Sequence, residues 1–182
     1  DRLGPARLMQ SISRTGGKPV VPGGQAGLAV GLGGLGMSLA DLMRVYGTLA
    51  RGGTAMGLQY FGDEPTSETT RVLAASAAWQ VGDILAGAAR PASAADRQIA
   101  YKTGTSYGHR DAWSLGYDGQ HVVGVWMGRP DGTPVPGAFG GELAAPVLFQ
   151  VFDHLKVAPM PPPPAETLIV ANTDLPPPLQ WF

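Results

Sequence analysis

The spacing of apolar side chains changes character along the chain. In the first half it is helical. Leu3, Leu8, Met9 and Ile12 recur at turn intervals and predict a short helix over 3–14. Residues 15–36 are crowded with glycine and proline and predict a long loop with little regular structure. Ser38 closes that loop. Ser38-x-x-Asp41 approximates a capping box, and an acid in the first turn suits the positive end of the helix dipole. Leu39, Leu42, Met43, Tyr46 and Leu49 follow at helical spacing until Gly52-Gly53 ends the run. A polar stretch, 54–68, leads to a second predicted helix over about 69–89. Leu73, Ala77, Val81, Ile84 and Leu85 share its apolar face, and Pro91 and Ser93 mark its end.

The period then shortens. Ile99 to Ser106, Ala112 to Tyr117 and His121 to Met127 read as three strands. Asp118-Gly119 between two apolar-aromatic runs is a hairpin signal, which makes 112–128 an antiparallel pair with Trp113 and Trp126 as its large apolar bodies. Residues 129–141 form a Gly/Pro loop. Pro146 suits the first turn of a closing helix whose face holds Val147, Leu148, Val151, Phe152 and Leu155. The predicted fold class is α+β, an antiparallel sheet flanked by helices.

The tail, 158–182, holds 8 of the 17 prolines, including Pro161 to Pro164 and Pro176 to Pro178. Such runs favour extended polyproline II, so the chain divides into a folded part, 1–157, and a semi-rigid linker toward a further domain. A strap packed on its own domain is the alternative, because Leu168-Ile169-Val170 is apolar.

Composition narrows the function. Only 15% of the 182 residues are charged, against about 25% in ordinary domains, and the net charge is −1. A binder of nucleic acid working through bulk basicity is excluded. Cysteine is absent, which removes thiol nucleophiles, cysteine metal sites and disulfide scaffolds. No apolar run is long enough to span a bilayer. The start, Asp1-Arg2-Leu3-Gly4, carries neither a Met nor a signal-peptide pattern and reads as the middle of a longer polypeptide.

Three features could carry chemistry. Gly31-Leu32-Gly33-Gly34-Leu35-Gly36 satisfies G-x-G-x-x-G, but a dinucleotide loop needs a parallel strand and an acid after its helix. Gly52-Gly53-Thr54-Ala55-Met56 stands there instead, so a turn and helix entry is the simpler reading. His109, His121 and His154 lack metal-ligand spacing, and the last two read as solvated surface residues. The third feature is Lys102-Thr103-Gly104-Thr105-Ser106. On an open sheet edge, this strand offers unpaired backbone groups to an extended ligand. Lys102 supplies a cation for an anionic substrate end, and Thr103, Thr105 and Ser106 supply hydroxyls that can donate to a carboxylate. Gly104 removes a side chain where a ligand must come close, and an amide just past it could form half of an oxyanion hole. An ordinary polar strand end with a solvated lysine stands beside this reading.

The longer context adds a resemblance. Tyr101-Lys102-Thr103-Gly104-Thr105-Ser106-Tyr107-Gly108, then Arg110-Asp111-Ala112-Trp113 and Leu115-Gly116-Tyr117, resembles the third conserved box of penicillin-binding proteins and the strand after it. Val123 to Thr133 is similar to the next strand and loop in class A bifunctional synthases of the 1C type. Gly141 and Ala144-Ala145-Pro146 resemble their closing segment, and Leu35 to Gly53 the stretch between the second and third boxes. Pro176-Pro177-Pro178-Leu179 resembles the run leading to an extra C-terminal domain.

The resemblance implies part of a penicillin-binding, serine β-lactamase-like transpeptidase domain. It implies peptidoglycan stem peptides and β-lactams as ligands, no cofactor or metal, and a site on the extracytoplasmic face of a membrane, anchored by a segment upstream. By resemblance, Lys102 holds the serine of an S-x-N box and attracts the substrate carboxylate. Thr103 and Thr105 bind that carboxylate, and the Thr105 amide completes an oxyanion hole. The family's S-x-x-K and S-x-N boxes are absent: Ser11-Ile12-Ser13-Arg14 lacks the lysine. The expectation is therefore a C-terminal portion of a D,D-transpeptidase, inactive alone and completed by a missing N-terminal part. An inactive ligand-binding or interaction domain of the same fold is the alternative, and a serine β-lactamase a further one.

Overall fold

A computed structural model describes residues 3–64, 68–91, 94, 97–156, 158–170, 172–177 and 180. Asp1-Arg2, Ser93, Pro178-Leu179 and Phe182 lie outside the described residues. Pro5 opens helix α1 (Pro5–Arg14), and the Arg14 guanidinium donates to the Arg71 carbonyl at 2.6 Å. The glycine-rich stretch after it is more ordered than predicted. A 3-10 turn spans Leu28–Leu32, and Val20 and Gly36 exchange two backbone hydrogen bonds of 2.8 and 2.7 Å.

Helix α2 (Leu39–Ala50) starts as its capping box requires. The Ser38 hydroxyl oxygen accepts from the Asp41 amide at 3.1 Å, and its proton goes to the Asp41 carboxylate at 2.7 Å. That bond, with Arg44 at 3.0 Å, holds the buried Asp41 carboxyl below its ordinary range.

The second helix is shorter than predicted. Residues expected in its first turn form β2 (Thr70–Arg71), paired antiparallel with β1 (Thr54–Ala55). The Gly53 carbonyl accepts from both Val72 and Leu73, at 2.9 and 3.1 Å, and β-branched Thr69, Thr70 and Val72 suit extended chain. Helix α3 therefore begins at Ala75 and runs to Ala86. Its inward face also differs from the predicted one. Val81 is 40% and Ile84 73% exposed, while Ala78 and Gly82 are buried. Tyr117 is the cause, since its hydroxyl lies 2.7 Å from where a Cβ on Gly82 would stand. Only small residues let the helix approach so closely.

Strands β3 (Ala100–Thr105), β4 (Asp111–Tyr117) and β5 (Val122–Gly128) form an antiparallel sheet in that order, close to the predicted segments. Asp118 builds the β4–β5 turn by accepting from the Gln120 and His121 amides at 2.9 and 2.7 Å. Trp113 and Trp126 sit opposite each other in register, ring centroids 6.1 Å apart.

The pleat divides the sheet. Tyr101 and its alternates face helix α4 (Ala145–Asp153), where Ile99, Tyr101, Leu148, Phe149 and Phe152 make the main core. Tyr101 meets Phe149 edge-on at 5.0 Å and selects the helix face: Phe149, absent from the predicted stripe, is buried, and Val151, expected inward, is 38% exposed. On the other side α2 covers β4 and β5, with Leu39 and Met43 against Gly124.

A π-helical turn, Gly140–Ala144, precedes α4 and lies with its backbone on the back of β3. A Cβ on Gly140 would overlap the Gly104 carbonyl and stand 2.6 Å from that of Trp113. The proline-rich segment lies on the same body. Ala158 accepts from the Gly119 amide at 3.1 Å, Pro161 from the Trp79 indole at 3.0 Å, and Leu168 from the Gln80 amide at 3.1 Å.

His121 departs from its prediction as a solvated residue. It is half-buried, with Nδ1 3.1 Å from Asp118, and Arg97 reaches the same carboxylate at 3.4 Å. His154, at the end of α4, is exposed. Burial pushes the Asp118 carboxyl up, but the Gln120 and His121 amides and the His121 ring outweigh it and hold the group below its ordinary value of 3.8. The folded form is thus the weaker acid-binder, so the stabilisation is complete above that value and is lost as pH falls through the lower folded one. Asp118→Asn is expected to lower stability by roughly 1–3 kcal/mol at pH 7 and to flatten the acid side of the stability profile, read by urea unfolding of the intact protein between pH 7 and 3. Gly140→Ala is expected to lower stability by roughly 1–3 kcal/mol through overpacking, read in the same titration at neutral pH.

Candidate functional site

The open edge of β3 borders a cleft of about 630 Å³. One wall is Lys102–Ser106 with Asp111, Trp113 and Leu115 of β4. Leu42, Val45 and Tyr46 of α2 form its base, and Leu32, Gly33, Leu35, Gly36 and Met37 stand opposite with Ile12 of α1. The predicted strand is therefore neither sealed beneath other residues nor turned from a groove.

Register fixes which way each predicted residue faces. Lys102 pairs with Leu115 and Gly104 with Trp113, so all four share the α2 side of the sheet. Lys102 is exposed, and its ammonium donates to the Thr103 carbonyl at 2.9 Å. No carboxylate pairs with it among the described residues. Gly104 leaves the wall bare, and the Trp113 side chain lies 3.6 Å from the point where a Cβ would stand. Thr103 and Thr105 belong to the other side of the pleat but reach the cleft at the strand edge. The Thr105 hydroxyl oxygen accepts from the Gly140 amide at 3.0 Å. With an acceptor site filled, its own proton is left to donate outward.

Ser106 has a structural engagement that the sequence did not disclose. Its Oγ accepts from the Asp111 amide at 2.8 Å, and its amide donates to the Asp111 carbonyl at 3.0 Å, closing the β3–β4 hairpin. Asp111 in turn accepts from the Trp126 indole N–H at 2.8 Å. This carboxylate, Tyr46 and the backing glycine at 140 are site components that residue-type reasoning missed. An acid one strand away from an indole partner has no local pattern, and Tyr46 reads as one more apolar position on its helix. Burial pushes the Tyr46 phenol up to about 12, and likewise that of Tyr117 beside it, 6.4 Å between ring centroids. Both stay neutral near pH 7 and so cannot act as bases there.

The glycine loop enters the site as a wall and not as a phosphate cradle. The Gly34 amide is taken by the Ala29 carbonyl at 2.8 Å and that of Gly36 by Val20 at 2.7 Å. The helix after the loop leads to the antiparallel β1–β2 pair, so no βαβ unit surrounds it among the described residues. His109 lies beyond the Ser106 end of the cleft, its ring edge-on to Phe139 at 4.6 Å. Among the described residues no group of three or more His, Cys, Asp or Glu could hold a metal ion, and no helix is long and apolar enough to cross a membrane.

Comparison with known proteins joins these features. The family model described as the penicillin binding protein transpeptidase domain matches residues 10–149. Penicillin-binding protein 1C of Escherichia coli (strain K12) is 42% identical over 156 residues, covering 83% of this chain and 20% of that protein. Penicillin-binding protein 1A of Aquifex aeolicus is 49% identical over 74 residues, 41% of this chain and 10% of its own. The chain thus spans about a fifth or less of the length of these relatives. Since the matched stretch runs through the cleft lining from Ile12 to Leu115 and on into α4, the chain belongs to the penicillin-binding protein transpeptidase family.

Proposed function

We propose that this chain forms one wall of the acyl-transfer site of a peptidoglycan D,D-transpeptidase. The observation that carries the reading is Lys102, a cation without an acidic partner among the described residues, standing beside bare Gly104 on the wall of an open cleft. Such a wall suits a peptide that ends in a carboxylate. Residues 1–157 are the transpeptidase portion, and 158–182 the connection toward a further domain.

The reaction is a two-step transfer. A serine oxygen attacks the penultimate D-Ala carbonyl of a stem peptide, the bond to the terminal D-Ala nitrogen breaks, and free D-Ala leaves with a proton. An amine of a neighbouring stem then attacks the ester, forms the crosslink and returns the proton to the serine. Lys102 attracts the terminal carboxylate and orients the serine of the S-x-N box. Thr103 and Thr105 donate to that carboxylate, and the proton left outward on Thr105 suits this. The Thr105 amide binds the developing oxyanion, where one such donor is worth about 2.7–4 kcal/mol of barrier. Gly104 admits the ligand backbone. Ser106, given its bonds to Asp111, shapes the strand end as well as offering a hydroxyl. β-Lactams enter as mimics of the D-Ala-D-Ala end, and the work is done on the extracytoplasmic face of the membrane.

The S-x-x-K and S-x-N boxes are not in these 182 residues, so the nucleophile belongs to a segment outside them. A binding domain of this fold without the chemistry is the alternative reading.

Two measurements test the proposal. Incubated with a labelled penicillin, the chain alone should show no mass increase, and a penicilloyl-sized increase would place the nucleophile here after all. In the intact protein, Lys102→Ala should slow β-lactam acylation on the order of a hundredfold or more. An unchanged rate would remove Lys102 from the site, and absence of acylation in the unsubstituted intact protein would favour the inactive binding domain.

A further inference from the structure

A second concavity lies apart from the Lys102 edge, beneath the proline-rich segment. It is a groove of about 270 Å³ between the end of α2, helix α3 and Tyr117, the last residue of β4. Trp79 and Gly82 of α3 line it from the body, and Met160, Pro161 and Pro164 line it from the segment. Residues 158–164 form neither helix nor strand, and proline holds φ near the polyproline II value. They are gripped by their carbonyls. Ala158 accepts from the Gly119 amide at 3.1 Å and Pro161 from the Trp79 indole at 3.0 Å. These acceptors are three residues apart, one turn of polyproline II, and Pro164 reaches the groove at the same interval. A polyproline II segment makes no hydrogen bonds of its own, so its carbonyls are free for donors on an aromatic groove wall, and little order is lost on docking.

The resident segment fits this groove incompletely. Tyr117 is 2% exposed, and its hydroxyl is buried without a hydrogen-bond partner among the described residues. An unpaired buried hydroxyl is unfavourable and leaves a donor to be filled. Met160 brings only a thioether to this corner, 3.6 Å from where a Cβ on Gly82 would stand, and sulfur is a weak acceptor. We propose that the groove is a docking site for a proline-rich segment of another protein, and that residues 158–164 occupy it as a weaker resident. The incoming segment gives one carbonyl to the Trp79 indole and another to the Tyr117 hydroxyl. A second copy of this chain would bring the same strap and leave the same hydroxyl unfilled, so the partner differs in sequence. Gly119 governs the exchange. A Cβ there would overlap the Pro159 carbonyl, so the strap is fastened at that end only because residue 119 is glycine. The inference stands independently of the transpeptidase chemistry.

The test measures fluorescence anisotropy of labelled dodecaproline with the intact protein, against a Gly-Ser peptide of equal length. Dodecaproline should bind saturably and the control should not. Gly119→Ala, which displaces the strap, should tighten binding about threefold or more by freeing the groove. Tyr117→Phe should weaken binding about threefold to tenfold and leave the melting temperature unchanged or raised, because the strap does not use that hydroxyl. Trp79→Phe keeps a ring and removes the N–H. Placed in the Gly119→Ala protein, where the strap competes least, it should weaken binding by a similar factor. Absence of binding in both the unsubstituted and Gly119→Ala proteins would overturn the proposal, and so would binding indifferent to Trp79→Phe. Full retention in Tyr117→Phe would show that a foreign segment gains nothing over the strap and would overturn the partner. A concentration-dependent dimer that dodecaproline dissociates would make a second copy the occupant instead.

Discussion

The cleft exists because β3 is paired on one side only. Its ladder with β4 runs from Ala100–Tyr117 to Thr105–Ala112, and no further strand lies on its outer edge among the described residues. An edge strand with one free side cannot depend on a second ladder for its position, so its faces and ends do that work. Tyr101 anchors the first residues into the α4 core, and the Gly140 turn presses on Gly104 and Trp113 from behind. Ser106 and Asp111 close the far end. A methyl group at 140 or a loose hairpin would move the same strand that bears the lysine.

The two faces of the sheet divide the labour. The α4 side is dry and aromatic, with Phe152, Leu148 and Phe149 almost completely removed from water. That burial is the principal hydrophobic stabilisation of the chain. The α2 side is shallower near β3 and opens into the cleft, where Lys102 stays solvated instead of being forced into an apolar layer. Residues adjacent in sequence therefore serve opposite ends: Tyr101 belongs to the core and Lys102 to the cleft wall, separated by one step of the pleat.

Much of this was legible before any coordinates. Asp118-Gly119 marked the hairpin, Ser38 and Asp41 marked a helix start, and the three strands emerged from the change in period. The helix faces were harder to read. For α3, side-chain hydrophobicity pointed to Val81 and Ile84, but steric room decided, and Tyr117 demanded glycine and alanine at the contact. For α4, Phe149 won over Val151 because Tyr101 was waiting across the layer. Both outcomes turn on partners distant in sequence, which periodicity cannot see. On the cleft wall, Lys102 to Ser106 could be singled out by residue type as a candidate. The hydroxyl of Thr105 taken by Gly140, and the carboxylate of Asp111 taken by the Trp126 indole, required the tertiary fold. The resemblance named the family from contiguous motifs, while the glycine loop shows how a short pattern misleads when its surrounding topology is wrong.

The strap along α3 has a mechanical consequence. It is fastened by three well-separated hydrogen bonds, at Gly119, Trp79 and Gln80, on two different elements. Tension arriving through the chain beyond Val170 would load the Gln80 fastening first and the Trp79 one next. Only after both had let go would it tug at the β4–β5 turn. The cleft-forming edge is the next strand across, so a pull on the tail reaches it only through that turn and the ladder between β3 and β4.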